Sequence, residues 1–480
     1  MGSKKVFKNY IYNVIYQVIV VLAPIITTPY ISRVLGATNI GVFSYVQSIA
    51  TYFVLFGALG SSLYGQREIA YVQDDADKRT LVFKEIITFR IITVLLATLI
   101  YMIIFCRGGA RQSIYLIMTV EVAASAFDIS WFFMGLQDFK RTVMRNVIIK
   151  VLSILLMFVL VKKESDVVMY AICYTVPILI SNLSLWPYLP KYLTKAKPDK
   201  FLTLKHLIPM LVLFVPQIAT EVYTVLDKPM LGLLSSGMDE VGFYEQSQKV
   251  IKVLVRIVTA LGLVMLSKIS KDFEEKKFDA IEKSIEKSFR FVFLLGCPLM
   301  FGAMGVAQKF VPLFYGKGYG KIVPLMLVCA PIILIIGLSN VIGKQYLLPL
   351  KLQKQYTISI ISGAVINFVF NLVLIRIWNS IGAAVATVIA ECSVTAVQIF
   401  FVRKNLNIMK YFICGIRYIF MGILVGLCAY FVGKITPKGA VGLTIQVVSG
   451  MLCYLLMIMI TKDKMLMEAK KLLLGKSKKG

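Results

Sequence analysis

The sequence predicts an all-α polytopic membrane protein of about 14 transmembrane helices: two pseudo-symmetric six-helix bundles, two further C-terminal helices, and both termini in the cytoplasm. Three observations predict it. The chain is 58% hydrophobic over 480 residues, with a mean hydropathy of +0.79, which excludes an ordinary soluble enzyme and a disordered chain. Apolar segments long enough to cross a bilayer recur along it. Basic residues then fall unevenly between alternate connections.

The apolar segments are about 9–32, 41–65, 81–105, 113–136, 144–161, 167–189, 207–234, 241–267, 289–308, 322–348, 355–375, 381–402, 412–432 and 441–461. With the N-terminus inside, the cytoplasmic connections, counted together with Lys84, Arg145 and Arg290 at the adjoining segment ends, carry 34 Lys and Arg and the external ones 11; the other 8 of 53 lie deeper within segments. The positive-inside rule therefore puts both termini in the cytoplasm. Placed this way, the net charge of +28 reflects topology, and no nucleic-acid partner is expected.

The first segment follows Lys4, Lys5 and Lys8, as in a signal peptide, but it is long, contains Asn9, Asn13 and Gln17, and has no small-residue cleavage pattern. It is read as a retained first helix with a polar edge. Pro24, Thr27, Thr28 and Pro29 are expected either to break that helix near its outer half, where it would line a cavity, or to form a simple proline kink that shapes packing. Val6 stands where a myristoylation start wants Ser or Thr. The eight cysteines form no C-x-x-C pair and read as small buried hydrophobes, so no metal site is expected.

A turn at Gly36-Ala37-Thr38-Asn39 leads into Ile40-Gly41-Val42-Phe43. Some 200 residues on, Val241-Gly242-Phe243-Tyr244 has a similar pattern, with an aromatic two residues after the glycine and a glutamine six after it. This reads as an internal repeat, which places a substrate site between the halves near the membrane midplane. The expected organisation is 1–190 for the first bundle, 191–205 for a basic linker (Lys191, Lys195, Lys197, Pro198, Lys200, Lys205), 206–404 for the second bundle, and 405–480 for two additional helices and a basic tail.

The fourth segment places Glu121 and Asp128 seven apart on one face, where they could take up a proton or sodium ion or pair with Arg90 or Lys150. His206, the only histidine, starts the seventh segment and is expected to snorkel. Lys268 to Arg290 alternates charge with Phe273, Phe278, Ile281, Ile285 and Phe289, and reads as an amphipathic helix on the inner membrane surface. Gly382-Ala383-Ala384 suggests close helix packing.

The stretch Glu221–Arg256 carries the densest intramembrane charge. Glu221 and Lys228 share a helical face, with Asp227 beside the lysine. Glu245, Lys249, Lys252 and Arg256 follow at spacings of four, three and four, so they form one stripe. Each charge at a helix centre costs about 2.5–3.5 kcal/mol on insertion scales, so the stripe is expected to face a water-filled cavity or acidic partners. The alternative is snorkelling near the interface, or ion pairs that hold the bundle together. Arg256 lies about 24 Å along the helix from Glu240 and fits snorkelling least.

Pro29-Tyr30-Ile31-Ser32-Arg33-Val34-Leu35-Gly36 with Gly41, Asp128-Ile129-Ser130-Trp131-Phe132-Phe133-Met134-Gly135-Leu136-Gln137-Asp138-Phe139, and Asn367 through Asn371 to Gly382-Ala383-Ala384-Val385-Ala386-Thr387 with Glu391 stand in this order. Together with Tyr64-Gly65-Gln66-Arg67-Glu68, they resemble the polysaccharide transporter branch of the multidrug/oligosaccharidyl-lipid/polysaccharide (MOP) exporter superfamily, the Wzx-type flippases. The resemblance implies alternating access around a central cavity in a bacterial plasma membrane. It also implies as cargo an oligosaccharide repeat unit on undecaprenyl pyrophosphate, for capsule, O-antigen or related polymers. Membrane lipid, a polysaccharide polymerase and chain-length machinery are the further partners it implies.

Lys and Arg at reduced dielectric can replace the hydration of a pyrophosphate. Lys249, Lys252 and Arg256 are therefore the first expected headgroup ligands, with Lys228, Arg90 and Lys150 second. Asp227, Glu221 and Asp128 are the expected coupling or gating residues, for H+ or Na+. One rival is an ion-coupled exporter of cationic drugs, which the 8 basic against about 6 acidic intramembrane residues disfavour. A polymerase or ligase is a second rival, and it would need acid, base or metal-binding residues on a sizeable external loop; the longest, about 309–321, has three lysines and no carboxylate. No catalytic residue and no cofactor is expected, and Gly475-Lys476-Ser477 lacks the first glycine of a P-loop.

Overall fold

The structure, a computed structural model, describes residues 3–196, 203–461 and 463. Lys197, Pro198 and Lys200 of the expected linker and the C-terminal tail with Gly475-Lys476-Ser477 lie outside the described residues, as do the side chains of Asn9, Asn13 and Gln17. Among the described residues the chain is helical with no strand, and it divides into two compact units, 1–242 and 243–480.

The first unit holds α1 (Ser3–Ala58), α2 (Ser61–Tyr71), α3 (Ala76–Phe105), α4 (Gln112–Ala124), α5 (Ser130–Gly135), α6 (Phe139–Leu160), α7 (Val167–Leu183), α8 (Leu207–Val225), α9 (Asp227–Leu234) and the start of α10 (Met238–Thr259). The second continues α10 and adds α11 (Gly262–Glu274), α12 (Phe278–Tyr315), α13 (Ile322–Cys329), α14 (Pro331–Asn340), α15 (Gln353–Trp378), α16 (Ser380–Val402), α17 (Ile408–Ile435) and α18 (Ala440–Ile460). Twelve stretches among the described residues are long and apolar enough to cross a membrane. The first, Leu22–Tyr71, contains the second expected segment and part of the first. Residues 207–234 form α8 and α9 and are not among the twelve.

α1 is two helices joined at Gly36, whose φ of 72° and ψ of 169° reverse the local path as the expected turn requires. Of the two expectations for Pro24 and Pro29 the break is not met: both stay inside the helix, and Gly36 is its one interior residue with non-helical dihedrals. Leu59 and Gly60, both at positive φ, separate α1 from α2. Asp75 begins α3 by accepting hydrogen bonds from the backbone N–H groups of Asp77 (3.2 Å) and Lys78 (3.0 Å). Those bonds and the Lys78 ammonium hold the Asp75 carboxyl below the usual carboxylate range.

The core at one end of the first unit gathers Trp131, Phe132 and Phe133 of α5 with Tyr64 and Ile69 of α2 and Phe83 of α3. Gly65 lets the Trp131 ring approach α2, since a Cβ there would lie 2.8 Å from the ring's Cζ3. Within a bilayer such faces associate through van der Waals packing rather than exclusion of water, which favours small residues at the contact.

The expected organisation puts the boundary at 191–205, whereas packing puts it after Gly242. The reason is that α8 and α9 pack on α1 and α2. Gly60 sits against the backbone of Met210 and Phe214, and Gly232 beneath the Tyr45 ring.

In the second unit α12 and α17 pack along most of their length. Gly415, Gly422 and Gly426 of α17 face Phe293, Cys297 and Phe301 of α12, where a Cβ at any of the three would fall within 3.0 Å of a neighbour. Gly382 packs against the Leu374 carbonyl as the chain turns from α15 into α16, and Ala383 and Ala384 are fully buried, in line with the expected close packing. Residues 268–290 do not make one surface helix. Lys276, at φ 56°, separates α11 from α12, and the apolar residues Ile281, Ile285 and Phe289 are buried in the protein, Phe289 stacking on Tyr411 at 5.0 Å.

Candidate functional site: charged residues within the membrane helices

The stripe read from the sequence lies on α10. Its opposite face is buried through Ser247, Gln248, Ile251 and Val258, whereas Lys252 and Arg256 are exposed and Glu245 and Lys249 half-buried. Lys249 pairs with Glu245 at 3.6 Å, one helical turn away. The stripe thus presents three cations against one carboxylate on the uncovered side of α10, a net excess of positive charge that can attract an anion.

Arg90 belongs to a different arrangement. Its side chain is buried in the first unit, and its donors are taken up there: Nε donates to the Ser125 carbonyl (2.8 Å), Nη1 to the Ser61 and Ser62 hydroxyls (3.0 and 2.8 Å), and Nη2 to Asp128 (3.4 Å). Asp128 stands in the non-helical break between α4 and α5, where it also accepts from Ser130 N–H at 3.0 Å. Of the two roles open to this pair, the geometry favours an internal ion pair that locks α2, α3 and the α4–α5 break. Four of the five Arg90 N–H donors are engaged in this way.

Asp227 is buried and Lys228 half-buried at the start of α9, and Glu221 is half-buried on α8. Glu221 and Asp227 thus stand six positions apart, on α8 and at the start of α9. Lys150 is exposed on α6. Glu121, on α4, has a buried carboxyl oxygen, Oε2, with no hydrogen-bond partner among the described residues.

His206 does not snorkel. It is buried, with Nδ1 2.7 Å from the Tyr64 hydroxyl and Nε2 2.8 Å from Glu85 Oε2, while Lys205 pairs with the same carboxylate. This cluster, like Ser61, Ser62 and Ser125 around Arg90, was not read from the sequence. Its members are separated by up to 142 residues, and no local pattern links them.

The family described as "Polysaccharide biosynthesis protein" matches residues 6–270, more than half of the chain. The chain belongs to this family. A "Putative O-antigen transporter" of Escherichia coli (strain K12) is 23% identical over 404 residues, covering 83% of this chain and 97% of that protein. One from Shigella dysenteriae is 22% identical over 392 residues, covering 77% and 93%. Among solved structures, the lipid II flippase MurJ in an inward closed conformation aligns with a TM-score of 0.75 at 16% identity, covering 94% of this chain and 98% of MurJ. An inward-facing multidrug resistance MATE family transporter of the MOP superfamily aligns at 0.62 and 12% identity, covering 81% and 95%. The chain is thus a multi-pass membrane protein of polysaccharide biosynthesis with the fold of these transporters.

Proposed function

We propose that this protein moves a lipid-linked oligosaccharide, a repeat unit on undecaprenyl pyrophosphate, from the inner to the outer leaflet of the bacterial plasma membrane by alternating access. The observation that carries the reading is the α10 stripe. Lys252 and Arg256 stand exposed, with Lys249 beside them, on a helix of a membrane protein, and such charge is maintained where it does work on a polar or charged ligand. A pyrophosphate diester presents paired negative charge, which the three cations, in excess over the one carboxylate, can neutralise through charge-assisted hydrogen bonds.

Lys249, Lys252 and Arg256 are assigned to the headgroup, with Lys228 and Lys150 in support. Glu221 and Asp227 are assigned to coupling or gating, with H+ or Na+ as the ion. Arg90 and Asp128 are assigned to holding the first unit together. The names of the curated relatives, transporters of O-antigen, favour a saccharide cargo over a cationic drug, and transport over polymerisation or ligation. A polymerase and chain-length machinery would take over the flipped product.

The test is movement of a fluorescent undecaprenyl-pyrophosphate oligosaccharide in proteoliposomes, comparing the wild type with a folded Lys249→Ala, Lys252→Ala, Arg256→Ala triple variant. Movement by the wild type alone is the expected result. Equal movement by both would remove the headgroup assignment, and movement by neither, across several sugar headgroups and with an ion gradient imposed, would overturn the flippase reading.

A further inference from the structure

At the end of the first unit where the basic residues gather, a cavity of about 550 Å³ opens beside the start of α6, lined by Asp138, Arg141, Met144, Arg145, Ile148 and Tyr188 among others. Arg141, Arg145 and Ile148 stand at i, i+4 and i+7 on α6, so a single stripe of the helix passes from charge to hydrocarbon. Met144 and Ile148 are 42% and 58% exposed, which leaves an apolar wall open to the bilayer below the two arginines.

The arginines are held in place. The Arg141 guanidinium lies over the rings of Tyr188 (4.9 Å) and Tyr192 (5.3 Å) and pairs with Asp138 at 3.1 Å, yet its Nη1 has no acceptor among the described residues. Arg145 donates to Asn146 Oδ1 (2.8 Å from Nη2) and to the Ser181 carbonyl (2.8 Å). The Arg141 Nη1 donor is therefore the group left for an anionic ligand, and Arg145 adds a second positive charge to the cavity wall. The same end carries Arg79, which donates to the Tyr192 carbonyl, and Lys84, which donates to the Ala196 carbonyl. By the positive-inside rule this end faces the inner leaflet.

We propose that this cavity binds the headgroup of an anionic glycerophospholipid of the inner leaflet, its phosphate between Arg141 and Arg145 and its acyl chains along Met144 and Ile148. A monoanionic phosphate with an attached hydrocarbon matches the order of side chains along the stripe, and basic pockets between helices on the inner side take such headgroups. The site is separate from the α10 stripe and does not depend on the identity of the cargo.

Native mass spectrometry of the detergent-purified full chain, with phosphatidylglycerol or phosphatidylcholine of matched acyl chains, tests the assignment. Phosphatidylglycerol adducts should exceed phosphatidylcholine adducts several-fold. R141Q/R145Q should lower the former at least fivefold and leave the latter unchanged. D138N should raise phosphatidylglycerol retention, a gain that misfolding cannot imitate. Adducts insensitive to both variants would overturn the proposal. So would equal thermal stabilisation by soluble glycerol phosphate, which would make the ligand a free phosphate rather than a lipid.

Discussion

Gly41 and Gly242, about 200 residues apart, meet backbone to backbone within the first unit. A Cβ on Gly41 would overlap the Met238 carbonyl and come within 2.9 Å of Gly242 N. One on Gly242 would overlap the Ala37 carbonyl and come within 3.2 Å of Gly41 N. The repeat that the two sequences suggest is thus also a contact, and each glycine is needed because the obstacle is main chain that cannot rotate away. Gly41→Ala or Gly242→Ala should each destabilise the protein by about 1–3 kcal/mol, the usual cost of overpacking, measured as a lowered thermal midpoint in detergent. An unchanged midpoint for both variants would mean that the crossing is looser than the geometry gives.

The Arg90 cluster leads to an asymmetric expectation. Arg90→Met removes the cation and leaves Asp128 with its Ser130 N–H bond, while the Ser61 and Ser62 hydroxyls and the Ser125 carbonyl lose a partner. Asp128→Asn leaves a buried guanidinium with its three neutral partners. Breaking a buried pair costs about 3–5 kcal/mol, so Arg90→Met should fall in that range. Asp128→Asn should cost less, because the pair distance is 3.4 Å and Asp128 is only partly enclosed. If Arg90→Met kept full stability while losing transport, the residue would move to the ligand-binding set.

Loss of His206 should be felt mainly at the Tyr64 hydroxyl. His206→Phe preserves much of the ring packing but leaves that hydroxyl without its bond, at about 1–3 kcal/mol for a buried group left unsatisfied, and takes one of two partners from Glu85 Oε2. Lys205 still pairs with Glu85, which limits the loss on that side. Thermal unfolding of H206F beside Y64F checks it, and the double variant should be less destabilised than the sum of the singles.

On α10, Arg256→Ala should slow transport by on the order of tenfold or more, the scale of one charge-assisted hydrogen bond, with the thermal midpoint unchanged because the side chain is exposed. Proteoliposome transport beside thermal unfolding reads both quantities. Unimpaired transport at normal expression would make Arg256 a structural residue.

Much of the fold was legible because a bilayer imposes simple rules on a chain: apolar segments of about 20 residues become helices, and basic connections stay inside. Each of the fourteen expected segments overlaps helix, although twelve stretches among the described residues are long and apolar enough to cross a membrane, and the Gly36 turn stands where the sequence places it. The α10 stripe was legible for the same reason, since helical periodicity puts residues four and three apart on one face whatever surrounds them. Local pattern misled where neighbours decide the outcome. Pro24 and Pro29 stay inside a continuous helix, and Ile281, Ile285 and Phe289 pack against protein.

The sequence by itself therefore determined the class of protein, the helices and the face on which the α10 charges lie. Only the tertiary structure decided which charges are spent internally. Arg90 meets residues 28 to 38 positions away, and His206 meets Tyr64 and Glu85 at 142 and 121. Pairing at such separations depends on how helices pack and not on any period within them, so a buried ion pair and a ligand-facing cation look alike until the chain is folded.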